Sequence, residues 1–125
     1  MSNKNKKILL VEDDKIYISA VQDALSGEGF DVIVAEDGED GFNKVQKEKP
    51  DLAILDIMLP KMNGIDLAKK IKASGIILPI IFLTNMGDMK HISEAVEAAQ
   101  TDYILKSDFS AKDIIAKIKN KLNIK

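Results

Sequence analysis

Short apolar runs recur along the chain and are bounded by residues that favour turns. The run over residues 52–55 lies between Pro50 and Pro60 and continues directly into Asp56. A continuous apolar run of this length is typical of a strand that is buried on both faces of a sheet. Related patterns predict further strands over residues 6–11, 30–35, 80–83 and 103–105.

The segments between these strands carry apolar residues at the three- and four-residue spacing of amphipathic helices. Asp88 is suited to cap the fourth of them, and Ser110 with Asp113 forms a near capping box for the last. Gly27 and Gly75 are suited to end the first and third. The helices are predicted over residues 15–26, 38–49 and 65–74, after Asp88, and after Ser110.

Strand and helix therefore alternate five times through short connections. Such alternation predicts a parallel sheet that is covered by helices on both faces. Right-handed crossovers leave few topologies, and the doubly wound order 2-1-3-4-5 is favoured among them. We expect a single α/β domain over residues 1–125, with a disordered N-terminal segment over residues 1–6.

Composition adds mainly exclusions. The net charge of −2 indicates no strongly basic face, so we expect no direct nucleic-acid binding. The chain has no cysteine, which excludes disulfides and thiol chemistry and favours a cytoplasmic location. Its apolar runs are too short to span a membrane, and residues 1–7 are polar and lysine-rich, so we expect neither a membrane partner nor a signal peptide.

Polar residues follow the apolar part of several predicted strands. Parallel strands deliver their carboxyl ends to one edge of the sheet, where ligands bind at the point at which the winding direction switches. Each residue there could simply be a turn former, a β-former or a solvated charge, but their joint arrival at the ligand edge favours a site. The residues are Glu12, Asp13, Asp56, Thr84 and Lys106.

This set of side chains suggests a particular chemistry. Three carboxylates repel one another unless a hard cation lies among them, and oxygen ligands with retained water suit Mg²⁺. A lysine and a hydroxyl opposite the metal would stabilise anionic oxygens, as phosphoryl transfer requires. Aspartate is a known covalent acceptor of phosphoryl groups. Asp56 is the best nucleophile because it comes from the central strand and stands alone.

The sequence resembles the receiver domain of two-component response regulators, the CheY-like superfamily, over essentially its whole length. The matching motifs occur in the family's order and spacing. They are the first strand with Glu12-Asp13-Asp14, residues 50–64 around Asp56, Phe82-Leu83-Thr84, and residues 102–106.

The resemblance implies a flavodoxin-like fold and a phosphorylatable regulatory domain rather than an enzyme. Asp56 would receive a phosphoryl group from a sensor histidine kinase or a phosphotransfer protein. Mg²⁺ would bind at Glu12, Asp13, Asp56 and the backbone carbonyl of Met58.

The resemblance also implies a switch. Thr84 and Lys106 would contact phosphoryl oxygens, and Tyr103 would change position when Thr84 moves. This movement would report phosphorylation to a downstream effector on the surface formed by the fourth helix, the last strand and the last helix. The protein would be a monomer or a weak, phosphorylation-dependent dimer.

The chain departs from the family pattern at two positions. The lysine is usually followed by proline in a cis peptide bond, but Lys106 precedes Ser107, and a cis bond without proline costs about 2.5–4 kcal/mol. The residue after the threonine is usually very small, but Asn85 stands there and could crowd the phosphoryl site or donate a hydrogen bond to it. A phosphorylation-independent, receiver-like interaction module is therefore the main alternative.

Two other classes fit less well. A haloacid-dehalogenase-type phosphatase needs a second aspartate two residues after the first as its general acid, and Met58 stands there. A flavodoxin-like cofactor module needs a hydroxyl-rich phosphate loop after the first strand, where Glu12-Asp13-Asp14 would repel a flavin phosphate.

Overall fold

A computed structural model describes residues 6–85, 102–108 and 110–124 of the chain. Its five strands form one parallel sheet in the order β2-β1-β3-β4-β5, which confirms the predicted fold and strand order. The strands are β1 (Lys7–Val11), β2 (Asp31–Ala35), β3 (Leu52–Asp56), β4 (Ile80–Thr84) and β5 (Asp102–Leu105). The helix predicted after Asp88 lies outside the described residues, as do residues 1–5 of the predicted N-terminal segment.

Four α-helices are described, and each begins at a polar side chain that accepts a hydrogen bond from a backbone N–H of the first turn. Such caps satisfy donors that have no partner within the helix. The capping residues are Asp14, Asp37, Asn63 and Ser110. The helices are α1 (Lys15–Gly27), α2 (Gly38–Glu48), α3 (Gly64–Ala73) and the C-terminal helix (Ala111–Lys121).

Helices cover both faces of the sheet. Alternate strand residues, such as Leu10 and Ile54, pack with α1 and the C-terminal helix in one apolar cluster. The intervening residues, such as Leu9 and Leu55, pack with α2 and α3 in a second cluster. The two-residue period of a strand explains the division, because successive side chains point to opposite faces. No helix in the described part of the chain combines the length and the apolar composition that a bilayer span requires.

Candidate functional site

Asp56 is the last residue of β3, the central strand of the sheet. Its side chain is buried, with 4% of its surface exposed. Its Oδ2 accepts a hydrogen bond of 3.1 Å from Nζ of Lys106, whereas its Oδ1 has no hydrogen-bond partner among the described residues. A buried oxygen without a donor is costly in a folded protein, so its retention points to a ligand at this position.

The strand alternation brings Glu12, Asp56 and Lys106 to the same side of the sheet. Each of them comes two residues after a core residue on the face that α1 and the C-terminal helix cover. Those core residues are Leu10, Ile54 and Ile104. The three charged side chains thus continue an apolar row to the edge of the sheet, where they meet.

Lys106 lies between the two carboxylates. Its Nζ is 2.7 Å from Oε1 of Glu12 and 3.1 Å from Oδ2 of Asp56, and 5% of its side chain is exposed. Burial lowers the pKa of Lys106, but its contacts with Glu12 and Asp56 outweigh this effect, so that the pKa is raised above its ordinary value. The lysine is therefore a buried, permanently charged group beside Asp56.

Glu12 is fully buried at the end of β1. Its Oε2 accepts hydrogen bonds of 3.0 Å from the backbone N–H groups of Asp13 and Asp14. Burial raises the pKa of Glu12 from 4.5 to about 7, although Lys106 and the backbone donors act in the opposite direction. A positive charge added beside Glu12 would favour its ionised form.

The carboxylates of Glu12, Asp13 and Asp56 offer oxygens that all lie within 4.8 Å of one another. Glu12 and Asp56 are buried and Asp13 is exposed, so the cluster opens towards solvent on one side. Oxygen ligands of Mg²⁺ lie about 2.1 Å from the ion, and two of them can therefore be up to about 4.2 Å apart. The cluster needs only a small convergence to hold such a cation, and the unpartnered Oδ1 of Asp56 fits this use.

The remaining predicted residues lie on or just beyond β3, β4 and β5. Thr84 is buried at the end of β4, and its hydroxyl donates a hydrogen bond of 3.4 Å to the carbonyl of Asn85, whose own side chain is exposed. Tyr103 is half-buried and in register with Phe82, so the alternation assigns it to the same face of the sheet as Thr84. Met58 lies two residues beyond β3 with an exposed side chain. The roles of these residues stay predictions.

The segment after β3 returns to the backbone of Asp56. The N–H of Gly64 donates a hydrogen bond of 2.8 Å to the carbonyl of Ile57, and a Cβ added to Gly64 would collide with the backbone carbonyl of Asp56. Asn63 caps α3 by accepting a hydrogen bond of 2.8 Å from the N–H of Asp66. Asn63 is thus a helix cap, and Gly64, which follows it, packs against the backbone of the site.

The peptide bond between Lys106 and Ser107 is trans. The described residues include no cis peptide bond, and Lys106 begins a short 3-10 turn over Lys106–Asp108. The hydroxyl of Tyr17 donates a hydrogen bond of 3.3 Å to the carbonyl of Lys106. Sequence reasoning missed Tyr17. Its position one helical turn after the acidic residues was the only available signal.

The chain is similar to curated response regulators. It is 38% identical over 115 residues to the alkaline phosphatase synthesis transcriptional regulatory protein PhoP of Bacillus subtilis, a match that covers 92% of this chain and 48% of PhoP. It is 37% identical over 123 residues to the DNA-binding response regulator MtrA of Mycolicibacterium smegmatis, which covers 98% of this chain and 53% of MtrA. The chain thus spans about half the length of these relatives.

These relatives correct the expectation about nucleic acid. The expectation of no direct nucleic-acid binding rested on the net charge of −2, but MtrA is named a DNA-binding regulator and PhoP a transcriptional one. The expectation is therefore wrong for this class of protein. A net charge describes only the matched region and carries no information about the other half of such relatives.

The family comparison covers nearly the whole described fold. The model of the response regulator receiver domain matches residues 8–119. Among solved structures, the BeF3-activated N-terminal receiver domain of Klebsiella pneumoniae RstA is 34% identical, with a TM-score of 0.84 over 94% of this chain and 98% of that one. The motifs that suggested a receiver domain are thus confirmed as a family match, and the chain belongs to the response regulator receiver domain family.

Proposed function

We propose that this chain is a phosphoacceptor domain in which Asp56 receives a phosphoryl group from the phosphohistidine of a sensor histidine kinase or a phosphotransfer protein. A carboxylate oxygen of Asp56 forms a bond to phosphorus, and the bond between phosphorus and the donor's histidine nitrogen breaks. The nitrogen keeps the electron pair of that bond. The observation that carries this proposal is the buried carboxylate of Asp56, with one oxygen held by Lys106 and the other without a partner in the described residues.

The neighbouring side chains of this chain stabilise the charge that the transfer brings in. The ammonium of Lys106 already lies 3.1 Å from Oδ2 of Asp56. It would contact the oxygens of a phosphoryl group on Asp56 from about the same place. Thr84 would supply a hydroxyl donor from the end of β4 in exchange for its bond to Asn85. Catalysis of phosphoryl transfer is mostly positioning and charge stabilisation, which these fixed groups provide.

The acidic cluster would hold Mg²⁺. Glu12, Asp13 and Asp56 would provide carboxylate oxygens, and Met58 would add its backbone carbonyl. When bound, the ion would supply positive charge to the carboxylates and to the phosphoryl oxygens. The support for this assignment is the convergence of three carboxylates within 4.8 Å and the unpartnered oxygen of Asp56.

A relative supports activation by a small inorganic group. The RstA receiver domain, which is 34% identical to this chain, is described as activated by BeF3. We propose that a phosphoryl group activates this chain in a comparable way. Thr84 and Tyr103, on the same face of the sheet, would carry the change towards the surface of β5 and the C-terminal helix. The domain is regulatory rather than enzymatic in this proposal, and it works in the cytoplasm.

Intact-mass measurement with Mg²⁺ and acetyl phosphate tests the assignment. We expect the wild-type chain to gain the mass of one phosphoryl group and Asp56→Asn to gain none. Asp23→Asn serves as the matched control because Asp23 is exposed on α1, away from the cluster, and it should behave as wild type. Equal uptake by wild type and Asp56→Asn would reject Asp56 as the acceptor. A wild type that takes up no phosphoryl group would favour the phosphorylation-independent interaction module.

A further inference from the structure

Tyr17 contacts Lys106 at both ends of the lysine. Nζ of Lys106 lies over the aromatic ring of Tyr17, 4.7 Å from the ring centroid. The hydroxyl of Tyr17 donates its hydrogen bond of 3.3 Å to the backbone carbonyl of the same lysine, 89 residues away in sequence. One side chain of α1 therefore holds both the charge and the backbone of the residue beside Asp56.

The backbone at Lys106 has a particular need for such support. Residue 107 is serine, so no proline ring restricts the chain directly after the lysine. Lys106 also lies directly beyond β5, where the strand hydrogen bonds end and a 3-10 turn begins. The hydrogen bond from Tyr17 holds the carbonyl at this transition. Tyr17 belongs to α1, whose N-terminal cap, Asp14, directly follows Asp13 of the acidic cluster.

We propose that Tyr17 is a positioning residue that holds the ammonium of Lys106 against Asp56. The ring closes one side of the ammonium, while Glu12 and Asp56 contact it at 2.7 Å and 3.1 Å. A lysine side chain has several rotatable bonds and loses conformational entropy when it is held in one place. The ring and the hydroxyl hold Lys106 in place before a phosphoryl group arrives. Because the ammonium is then already positioned, it can stabilise the incoming negative charge without rearrangement. The consequence for phosphorylation rests on the proposed function.

Three variants separate the two contacts. Tyr17→Phe keeps the ring and removes the hydroxyl, whereas Tyr17→Leu removes both. Phe42→Leu is the matched control because Nζ of Lys70 lies 4.4 Å from the centroid of the Phe42 ring, away from the acidic cluster. It removes a lysine–ring contact of the same kind without touching the site.

The first readout is NMR of the unphosphorylated protein and does not depend on the proposed function. The ε-methylene protons of Lys106, assigned by their loss in Lys106→Met, should be shifted upfield by the ring current in wild type and Tyr17→Phe. In Tyr17→Leu they should return to the usual lysine position. The amide resonance of Ser107 should move in Tyr17→Phe, because that amide shares a peptide group with the carbonyl of Lys106. Unchanged Lys106 resonances in Tyr17→Leu would overturn the proposal, and should that variant not fold, an unchanged Ser107 amide in Tyr17→Phe would do so.

The second readout is the rate of phosphorylation by acetyl phosphate with Mg²⁺. Tyr17→Leu removes a contact between an ammonium and an aromatic ring at a desolvated site. The rate of phosphorylation should therefore fall on the order of tenfold in this variant. Tyr17→Phe should retain more of the rate than Tyr17→Leu, and Phe42→Leu should react as wild type. Equal rates in wild type and Tyr17→Leu would overturn the positioning role. A wild type that is not phosphorylated at all would reject the proposed function, while the NMR comparison would still decide the contact.

Discussion

Two lysine–glutamate pairs near the same edge of the sheet have almost the same length and opposite surroundings. Nζ of Lys15 lies 2.6 Å from Oε1 of Glu36, and these side chains are 76% and 53% exposed. Nζ of Lys106 lies 2.7 Å from Oε1 of Glu12, with exposures of 5% and 0%. The comparison teaches that the distance between two charges does not set their energetic weight, because solvent decides how much of their attraction is screened.

The exposed pair contributes little because water already solvates both charges and the long side chains lose freedom on pairing. The buried pair has a larger attraction, but both charges lose their hydration on folding, and this desolvation can exceed the attraction. Additional partners reduce that cost: Asp56 contacts the lysine, and two backbone N–H groups bind Glu12. The buried pair is therefore sensitive to the loss of either partner, and the exposed one is not.

The largest effect should come from Lys106→Met, which keeps the length of the side chain and removes its charge. Glu12 and Asp56 would then be buried without a cation, and breaking a buried pair in this way lowers the free energy of unfolding by about 3 kcal/mol. Urea unfolding in the presence of a chelator measures the change. An unchanged urea midpoint would show that the buried pair is as dispensable as an exposed one.

The next effect concerns the backbone beneath the buried pair. A methyl group on Gly64 would press on the carbonyl of Asp56, so Gly64→Ala should lower the free energy of unfolding by about 2 kcal/mol and should slow phosphorylation of Asp56. Gly27→Ala is the control, because a Cβ at Gly27 meets no atom within 4 Å in the described structure. Urea unfolding of both variants makes the test, and equal stability of the two would contradict the tight packing at Gly64.

The sequence predicted the strands well because their signal is local. Four or five consecutive apolar residues between turn-forming residues are typical of a doubly buried strand, and β3 and β4 end within one residue of the predicted positions. Helix ends were less certain because several residues can act as stops. Gly27, for example, is the last helical residue rather than the stop, and Gly29 takes the positive φ of 92°.

The strand ends also indicated which residues lie at the site, since parallel strands deliver them to one edge. The contacts that these side chains make with one another could not be predicted. Whether Lys106 faces Asp56, Glu12 or solvent depends on the strand alternation together with the turn that follows β5. The contact of Tyr17 with Lys106 could not be predicted for the same reason, because the two residues are 89 positions apart and a local pattern gives at most the place of Tyr17 near the acidic residues. The sequence likewise left open whether Asn85 crowds the phosphoryl site or donates a hydrogen bond to it, and the side chain of Asn85 is exposed.

A third, smaller effect should appear in the pH dependence of the free energy of unfolding, and it comes from Glu12 of the buried pair. Burial raises the pKa of Glu12 from 4.5 to about 7, so in that interval the folded protein holds a proton that the unfolded chain has lost. Without metal, this term lowers the free energy of unfolding as the pH rises from about 5 to about 7, by on the order of 1 kcal/mol. Other groups add their own dependence, so Glu12→Gln is the reference, and it should lack this decrease. Urea unfolding of both proteins across this interval measures the difference, and parallel pH profiles would contradict the effect of burial.

The smallest effect should come from Lys15→Met, the exposed counterpart of Lys106→Met. The variant loses the contact with Glu36, which for an exposed pair is worth about 0–1 kcal/mol and is screened by salt. Lys15 is also the first residue of α1, where a positive charge is unfavourable beside the positive end of the helix dipole. Its removal relieves that repulsion, so the two contributions oppose each other and the net change in the free energy of unfolding should stay below about 0.5 kcal/mol. Urea unfolding at low and high salt measures both variants side by side. A loss in Lys15→Met as large as that in Lys106→Met would mean that the distance between the charges, and not their burial, controls the stability of these pairs.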